Sequence, residues 1–160
     1  MSDAYSENVV AEVRFGSSGP VTTIGDKTGL FEWTGAGNAA QVVDGGSLTG
    51  SYLSLDGTGD YISTPGRPSF RLGTGPFVID FGIKTTSAGD VILDYTGSTT
   101  GYRVGMAFPA GTVMFLRGRS TLVGDGTIAI TDGVRHHVAI VRSADKTLRI
   151  FVDGVLGGSG

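Results

Sequence analysis

The sequence contains no cysteine, which excludes disulfide bonds and thiolate metal sites. It also has no apolar run near the roughly 20 residues that span a bilayer. The opening residues MSDAYSEN carry no apolar export segment. Charged residues make up only 17% of the chain and the net charge is -3, which argues against a protein that binds nucleic acid through bulk charge. We therefore expect a chain made without its own export signal, binding neither nucleic acid nor a membrane.

Helical periodicity is missing as well, apart from a single turn that Pro68 favours at 68–71. Short alternating segments separated by Gly and Asp turns predict strands instead. The predicted strands are Val9–Phe15, Leu30–Thr34, Ala40–Val43, Ser51–Leu55, Tyr61–Thr64, Phe77–Lys84, Val91–Tyr95, Tyr102–Phe108, Thr112–Arg117, Thr127–Ile130, His136–Val141 and Leu148–Val152. Many short strands in 160 residues predict one all-β domain, 1–160, built as a sandwich of antiparallel sheets.

Alternation along these strands separates a core side from an outward side. The predicted inward rows are Phe77, Ile79, Phe81 and Ile83; Leu148, Ile150 and Val152; and Tyr102, Val104, Met106 and Phe108. The lone Trp33 is predicted to lie in the core. The outward residues that could bind a ligand are Asp80, Lys84, Arg103, Arg149 and Phe151. Arginines there suit carboxylate or sulfate groups, and the alternative is a solvated sheet whose charges discourage aggregation.

The positions of the acidic residues do not predict a hydrolase. Glycoside hydrolysis needs two carboxylates on one surface, whereas the three glutamates are all N-terminal and Asp80 is alone on its strand. The only two histidines, His136 and His137, are adjacent and point to opposite sides of a strand. We therefore expect one histidine to be packed or hydrogen-bonded and the other to be on the surface. The prediction is a protein that is not an enzyme.

Four segments carry a resemblance to a known family: 52–63, 76–84, 133–142 and 147–154, the third containing Arg135-His-His-Val-Ala139. They resemble the laminin-G-like branch of the concanavalin A-like lectin/glucanase superfamily. The resemblance implies a concanavalin A-like jelly-roll sandwich of two antiparallel sheets. This chain departs from the family pattern at Arg135 and at Gly82, where relatives often have a tryptophan.

Calcium binding is a further expectation from the resemblance, because many relatives bind the ion on this fold. The loop between Asp56 and Asp60 alternates Asp and Gly and could supply oxygen ligands to Ca²⁺. The other interpretation of these residues is a tight turn in which each Asp bonds the backbone. Both interpretations remain open at the level of the sequence.

The opening segment from Asp3 to Phe15 is similar to the start of laminin-G-like domains in bacteriophage structural proteins. The resemblance implies a non-catalytic recognition or structural module on a phage virion, such as a decoration, fibre or tail-associated protein, with glycan binding. Virion assembly in the bacterial cytoplasm fits the missing cysteines. The alternatives are a freestanding bacterial lectin or adhesin at the cell surface and, third, a glycoside hydrolase.

The end of the chain leads to an expectation about partners. Relatives continue with further strands, whereas only 155–160 follows the last predicted strand, and its three glycines in six residues predict no strand. A sheet that lacks a strand exposes unpaired backbone groups. We therefore expect another copy of the chain, or a virion structural protein, to complete the sheet by strand addition.

Overall fold

The computed structural model describes residues 9–16, 18–43, 51–96, 101–117 and 121–160. The chain divides into two compact units, Met1–Arg67 and Pro68–Gly160. Regular structure in the described residues consists of strands and one 3-10 turn, Pro68–Phe70, at the position predicted for a single helical turn. None of the described helical structure is long and apolar enough to cross a bilayer. The all-β fold class predicted from the sequence is confirmed.

The described residues of the first unit form six short strands in two three-stranded antiparallel sheets. These strands are β1 (Gly19–Pro20), β2 (Thr23–Gly25), β3 (Glu32–Ala36), β4 (Ala40–Val43), β5 (Ser51–Ser54) and β6 (Tyr61–Ser63). One sheet has the order β1-β4-β5 and the other β2-β3-β6. A small core of Val21, Ile24 and Ala39 is buried, and Trp33 packs against it as predicted.

The second unit is built on one eight-stranded antiparallel sheet. Its strands are β7 (Phe77–Lys84), β8 (Val91–Tyr95), β9 (Tyr102–Met106), β10 (Thr112–Arg117), β11 (Thr121–Ala129), β12 (Arg135–Arg142), β13 (Leu148–Val152) and β14 (Val155–Ser159). Their order across the sheet is β7-β12-β13-β14-β11-β10-β9-β8. Strands that are distant in sequence, such as β7 and β12, are therefore direct neighbours.

The core of this unit lies on the side of the sheet that the alternation predicts. On β7 every second residue from Phe77 to Ile83 packs against the core, and the residues between them are exposed. The neighbouring strands contribute residues with no exposed surface, such as Val138, Ile140 and Ile150. Burial of this apolar surface is the main stabilising contribution to the sheet.

Two of the predicted strand assignments are wrong. Val9–Phe15 is not a strand among the described residues: Val13 alone forms an isolated bridge, with Asp26. The strand that begins at Tyr102 ends at Met106, and Phe108 is 81% exposed rather than inward. The chain turns at this point, where the Ala107 carbonyl accepts a hydrogen bond from Gly111 N–H. Hydrophobic alternation reports only a local preference for a strand. It continues past Met106, where the neighbouring strand no longer pairs with the chain.

The prediction that 155–160 forms no strand is also wrong. β14 lies inside the sheet, paired with β13 on one side and with β11 on the other. The glycines permit this pairing because a Cβ atom at Gly158 would overlap the Asp125 carbonyl. Close backbone approach is a known use of glycine in strands. The same pairing explains why β11 begins at Thr121 and not at Thr127, since β14 and β10 extend its ladder toward the N-terminus.

Candidate functional site

The candidate site lies on the face of the eight-stranded sheet opposite its core, which we call the outward face. Asp80 is opposite Ala139 on the neighbouring strand, and Ala139 is in turn opposite Phe151. Phe151 is then opposite Leu156, which is 54% exposed. Directly opposed residues of a sheet share a face. These four residues therefore form one row across β7, β12, β13 and β14, which we call the Asp80 row.

The Asp80 carboxylate lies beside the ring of His137. Its carboxylate oxygen Oδ2 lies 3.5 Å from Nε2 of His137, and both side chains are more than half exposed. Ala139 between Asp80 and Phe151 has only a methyl group, so the row dips in the middle. Asp80 and Phe151 are therefore two strand spacings apart, roughly 9.6 Å, with a small side chain between them.

Gly82 and Arg135 occupy the two positions at which this chain departs from the family pattern. Gly82 pairs with His137, and Arg135 pairs with Lys84. The guanidinium of Arg135 covers Gly82, its terminal nitrogen lying 3.1 Å from where a Cβ atom would be. The arginine thus occupies space that a larger residue at position 82 would need. Lys84 sits at the end of β7, two residues beyond Gly82 on the outward face.

Arg149 and Arg103 are both engaged by acidic neighbours. Arg149 donates to the Ser143 hydroxyl at 2.9 Å and lies 3.6 Å from Asp145. Arg103 donates to Asp94 at 2.7 Å. It lies on β9, four strands from Arg149 and thus roughly 19 Å away along the sheet at about 4.8 Å per strand. The structure therefore groups Asp80, Phe151 and Arg149 in one region of the outward face, and leaves Arg103 apart.

Asp56 and Asp60 do come together, as a calcium site requires, but N–H groups occupy all four carboxylate oxygens. Asp56 accepts hydrogen bonds from Thr58 N and from the Asn38 side chain, at 2.7 and 3.0 Å. Asp60 accepts them from Asn38 N and from Asp56 N, at 2.8 and 2.9 Å. The hydrogen bonds that Asp56 accepts, chiefly from Asn38, lower the pKa of its carboxyl group. The turn interpretation accounts for all four carboxylate oxygens of Asp56 and Asp60.

Two partners of this loop, Gly37 and Asn38, were missed by the sequence analysis because they lie some 20 residues away in the chain. Gly37 has a positive φ of 68°, and a Cβ atom there would overlap Oδ1 of Asp60. In the described residues, no three His, Cys, Asp or Glu side chains come together in a way that could hold a metal ion. Calcium binding at this loop remains a prediction.

His136 is the centre of a second polar cluster, which the sequence did not reveal. Its Nδ1 lies 2.7 Å from Asp153 and its Nε2 lies 3.0 Å from Asp132. The side chain of His136 is only 12% exposed, whereas that of His137 is 58% exposed, which confirms the predicted division between one packed and one surface histidine. The Asp-Gly turns at 132–133 and 153–154 were the only available sequence signs of these partners.

The hydrogen bonds of this cluster favour the charged form of all three side chains. The hydrogen bonds with Asp153 and then Asp132 raise the pKa of His136 above its usual 6.5. The pKa of Asp153 is lowered by hydrogen bonds from His137 N and from His136, and that of Asp132 by those from Val134 N and His136. The cluster joins the β11–β12 turn to the β13–β14 turn. It is therefore a structural tie between two turns at one end of the sheet.

The described residues form strands, with an apolar core on one side of the eight-stranded sheet and exposed residues such as Asp80 on the other. The chain belongs to the concanavalin A-like lectin/glucanases superfamily, because the laminin G model of that description matches residues 56–160. Its fold class is thus the concanavalin A-like jelly-roll sandwich. No curated protein and no solved structure matches the chain.

Proposed function

We propose that this chain is a non-catalytic recognition module that binds a glycan on the outward face, at the Asp80 row. The observation that carries the proposal is the alignment of Asp80, Ala139 and Phe151 across three adjacent strands, with His137 beside Asp80. Membership of a superfamily that contains lectins supports it.

The chemistry of the row suits a sugar ring. Sugars are held by apolar contact with an aromatic or aliphatic surface and by hydrogen bonds to their hydroxyl groups. Phe151 and Leu156 provide the apolar surface, and Asp80 provides an exposed acceptor. The small Ala139 leaves room between them for the ring.

The spacing of carboxylates supports a binding role over a hydrolytic one. Asp125 pairs with Ser159, which pairs with Arg149, so Asp125 shares the outward face with Asp80. Asp125 is four strands from Asp80, roughly 19 Å along the sheet, whereas glycosidases place their two carboxylates about 5 to 9.5 Å apart. Asp153 bonds to the same histidine as Asp80, but its two carboxylate oxygens are occupied by His137 N and by the His136 ring. Asp94, on the same face, is bound to Arg103. Laminin G-like domains are typically non-catalytic, although their superfamily includes glycosidases.

The biological setting we propose is the surface of a bacteriophage virion, where the module would serve as a decoration, fibre or tail-associated part. The resemblance of 3–15 to the start of phage structural proteins and the lack of cysteine support this setting. Residues 3–8 of that segment lie outside the described residues. Capsid and tail genes beside the gene for this chain are expected, and neighbours encoding a secreted adhesin would favour a freestanding lectin.

Glycan binding is testable with a glycan array, followed by calorimetry on the best glycan. We expect saturable binding by the full chain, and a loss of about tenfold or more in affinity for Phe151→Ala, because stacking and apolar contact are worth about 1.5 kcal/mol. Asp80→Asn is expected to weaken binding as well.

Phe108→Ala is the matched control for Phe151→Ala, since Phe108 is 81% exposed in a turn away from the row. Its glycan binding should equal that of the unaltered chain. Unchanged binding in both Phe151→Ala and Asp80→Asn would show that the glycan binds elsewhere. Absence of any saturable glycan would argue for a purely structural module.

A further inference from the structure

A cavity of about 250 Å³ opens at one end of the eight-stranded sheet, away from the Asp80 row. At this end β10 and β12 finish and β13 begins, and the segment leading into β7 closes one side. The residues that surround it are Gly73, Thr74, Phe115, Arg117, Val123, Arg142, Lys146 and Leu148. The cavity lies wholly within the unit Pro68–Gly160.

Three of these residues are cations and none is an acid. Arg142 is held in place, because it donates to the carbonyl oxygens of Leu72, Gly73 and Gly75 and its guanidinium lies 4.7 Å from the ring centre of Phe77. Carbonyl groups orient its charge but do not neutralise it. The cavity therefore has one rigid positive group at its wall.

The other two cations, Arg117 and Lys146, are exposed, and neither forms an ion pair with a residue that the structure describes. The neighbouring Asp145 faces Arg149 instead, at 3.6 Å. Like charges that converge without a counter-charge repel one another, and the repulsion is relieved when an anion binds between them. The rim of the cavity thus suits an anionic group.

The floor of the cavity has a different character. Phe115 and Leu148 are buried members of the sheet core, and the partly buried Val123 packs against the same core. An apolar floor with a few converging polar groups is the usual composition of a small-molecule site. The volume lies just below the ~300–1,000 Å³ of sites for drug-sized ligands, which limits the ligand to a single ring or a short chain.

We propose that this cavity binds a small organic anion, with its carboxylate or sulfate between Arg117, Arg142 and Lys146 and its apolar body against the partly buried Val123, above Phe115 and Leu148. The site is separate from glycan binding on the outward face. It would hold its ligand whether or not the Asp80 row binds a sugar.

Benzoate is the probe, compared with neutral benzamide and with inorganic sulfate, in calorimetry and thermal unfolding of the full chain. Benzoate should bind saturably and raise the Tm, because a ligand bound only to the native state stabilises it. Arg117→Gln and Lys146→Gln should each lower the affinity for benzoate by about tenfold. This factor corresponds to the lower end of the free energy of a hydrogen bond to a charged group. Lys27→Gln, an equal change of charge in the other unit, should bind like the unaltered chain.

Thr74 offers a second test, in which the change in Tm needs no probe. Thr74→Glu places a carboxylate at the cavity wall, so it should block benzoate and raise the Tm, whereas Thr74→Gln should do neither. Equal affinity for benzoate and sulfate, or benzoate binding that neither cation variant weakens, would overturn the proposal. Failure of benzoate to bind to the unaltered chain would also overturn it, and would leave the glycan proposal standing.

Discussion

At the scale of single residues, His136 and its two aspartates link the charge state of the protein to its stability. A group whose pKa is raised by folding stabilises the native state below its unfolded pKa, and that stabilisation disappears as the pH rises through the folded pKa. For His136, the contribution is therefore complete below about pH 6.5. The lowered pKa values of Asp132 and Asp153 give a contribution that is present above pH 3.8 and is lost as the pH falls through the folded pKa. The cluster is most stabilising between these limits.

A variant at His136 tests this pH window. We expect His136→Gln to lower the Tm clearly at pH 5.5 and by less at pH 8.5, because the stabilisation from the raised pKa of His136 is lost as the pH rises through that pKa. Thermal unfolding at both values measures the difference. His137→Gln is the control, since it leaves both carboxylates on His136, and it should show no such change between the two pH values. A deficit in His136→Gln that is the same at both values would contradict the assigned charge.

At the scale of secondary structure elements, the contribution of a side chain to stability depends on the face of the strand on which it lies. Val138 on β12 has no exposed surface, whereas Val78 on β7 is 62% exposed on the outward face. Strand β12 is paired on both sides, and its inward residues interlock with those of β7 and β13. The same amino acid thus experiences a packed core at one position and water at the other.

We expect Val138→Ala to reduce the free energy of unfolding by about 2 kcal/mol, from two lost methyl groups and the cavity they leave. Val78→Ala removes the same atoms from the surface and should change it by less than about 0.5 kcal/mol. Urea unfolding of the two variants provides the comparison. Equal losses in both would mean that the outward face is covered in solution.

At the scale of the whole molecule, association with another copy or with a virion structural protein stays a prediction. It can no longer rest on a missing C-terminal strand, because β14 supplies that strand. That strand lies inside the sheet, so the strands at the two ends of the eight-stranded sheet are β7 and β8. Each presents an exposed valine, Val78 and Val91. Exposed apolar end strands favour pairing with a further strand.

Light scattering of the full chain measures this association. We expect assemblies larger than one chain, and a shift toward the monomer in Val91→Lys, because a lysine on an end strand opposes pairing. Val155→Lys is the matched control, since Val155 is 60% exposed on an interior strand. A stable monomer at high concentration would contradict the prediction, and an equal effect of both lysines would point to a contact other than β8.

The sequence by itself determined the fold class and much of the strand pattern. The predicted bounds of β4, β7, β8, β10 and β13 agree with the structure, as do the inward and outward sides of β7. This information is local, because a two-residue period records which side of a strand meets the core. The wrongly extended strand at Phe108 and the missed strand β14 mark its limit. Hydrophobic alternation does not report where a neighbouring strand ends, or where glycines allow one to approach.

Only the tertiary structure decided which side chains meet. Asp80 and Phe151 are 71 positions apart in the chain, yet they share a row because β12 pairs with both β7 and β13. Arg103 was predicted for the same site and lies four strands from Arg149, because the order of strands follows long-range pairing. Likewise, the partners of His136 are carboxylates in two different turns. Strand order and register depend on contacts between distant segments, and no short stretch of sequence contains them.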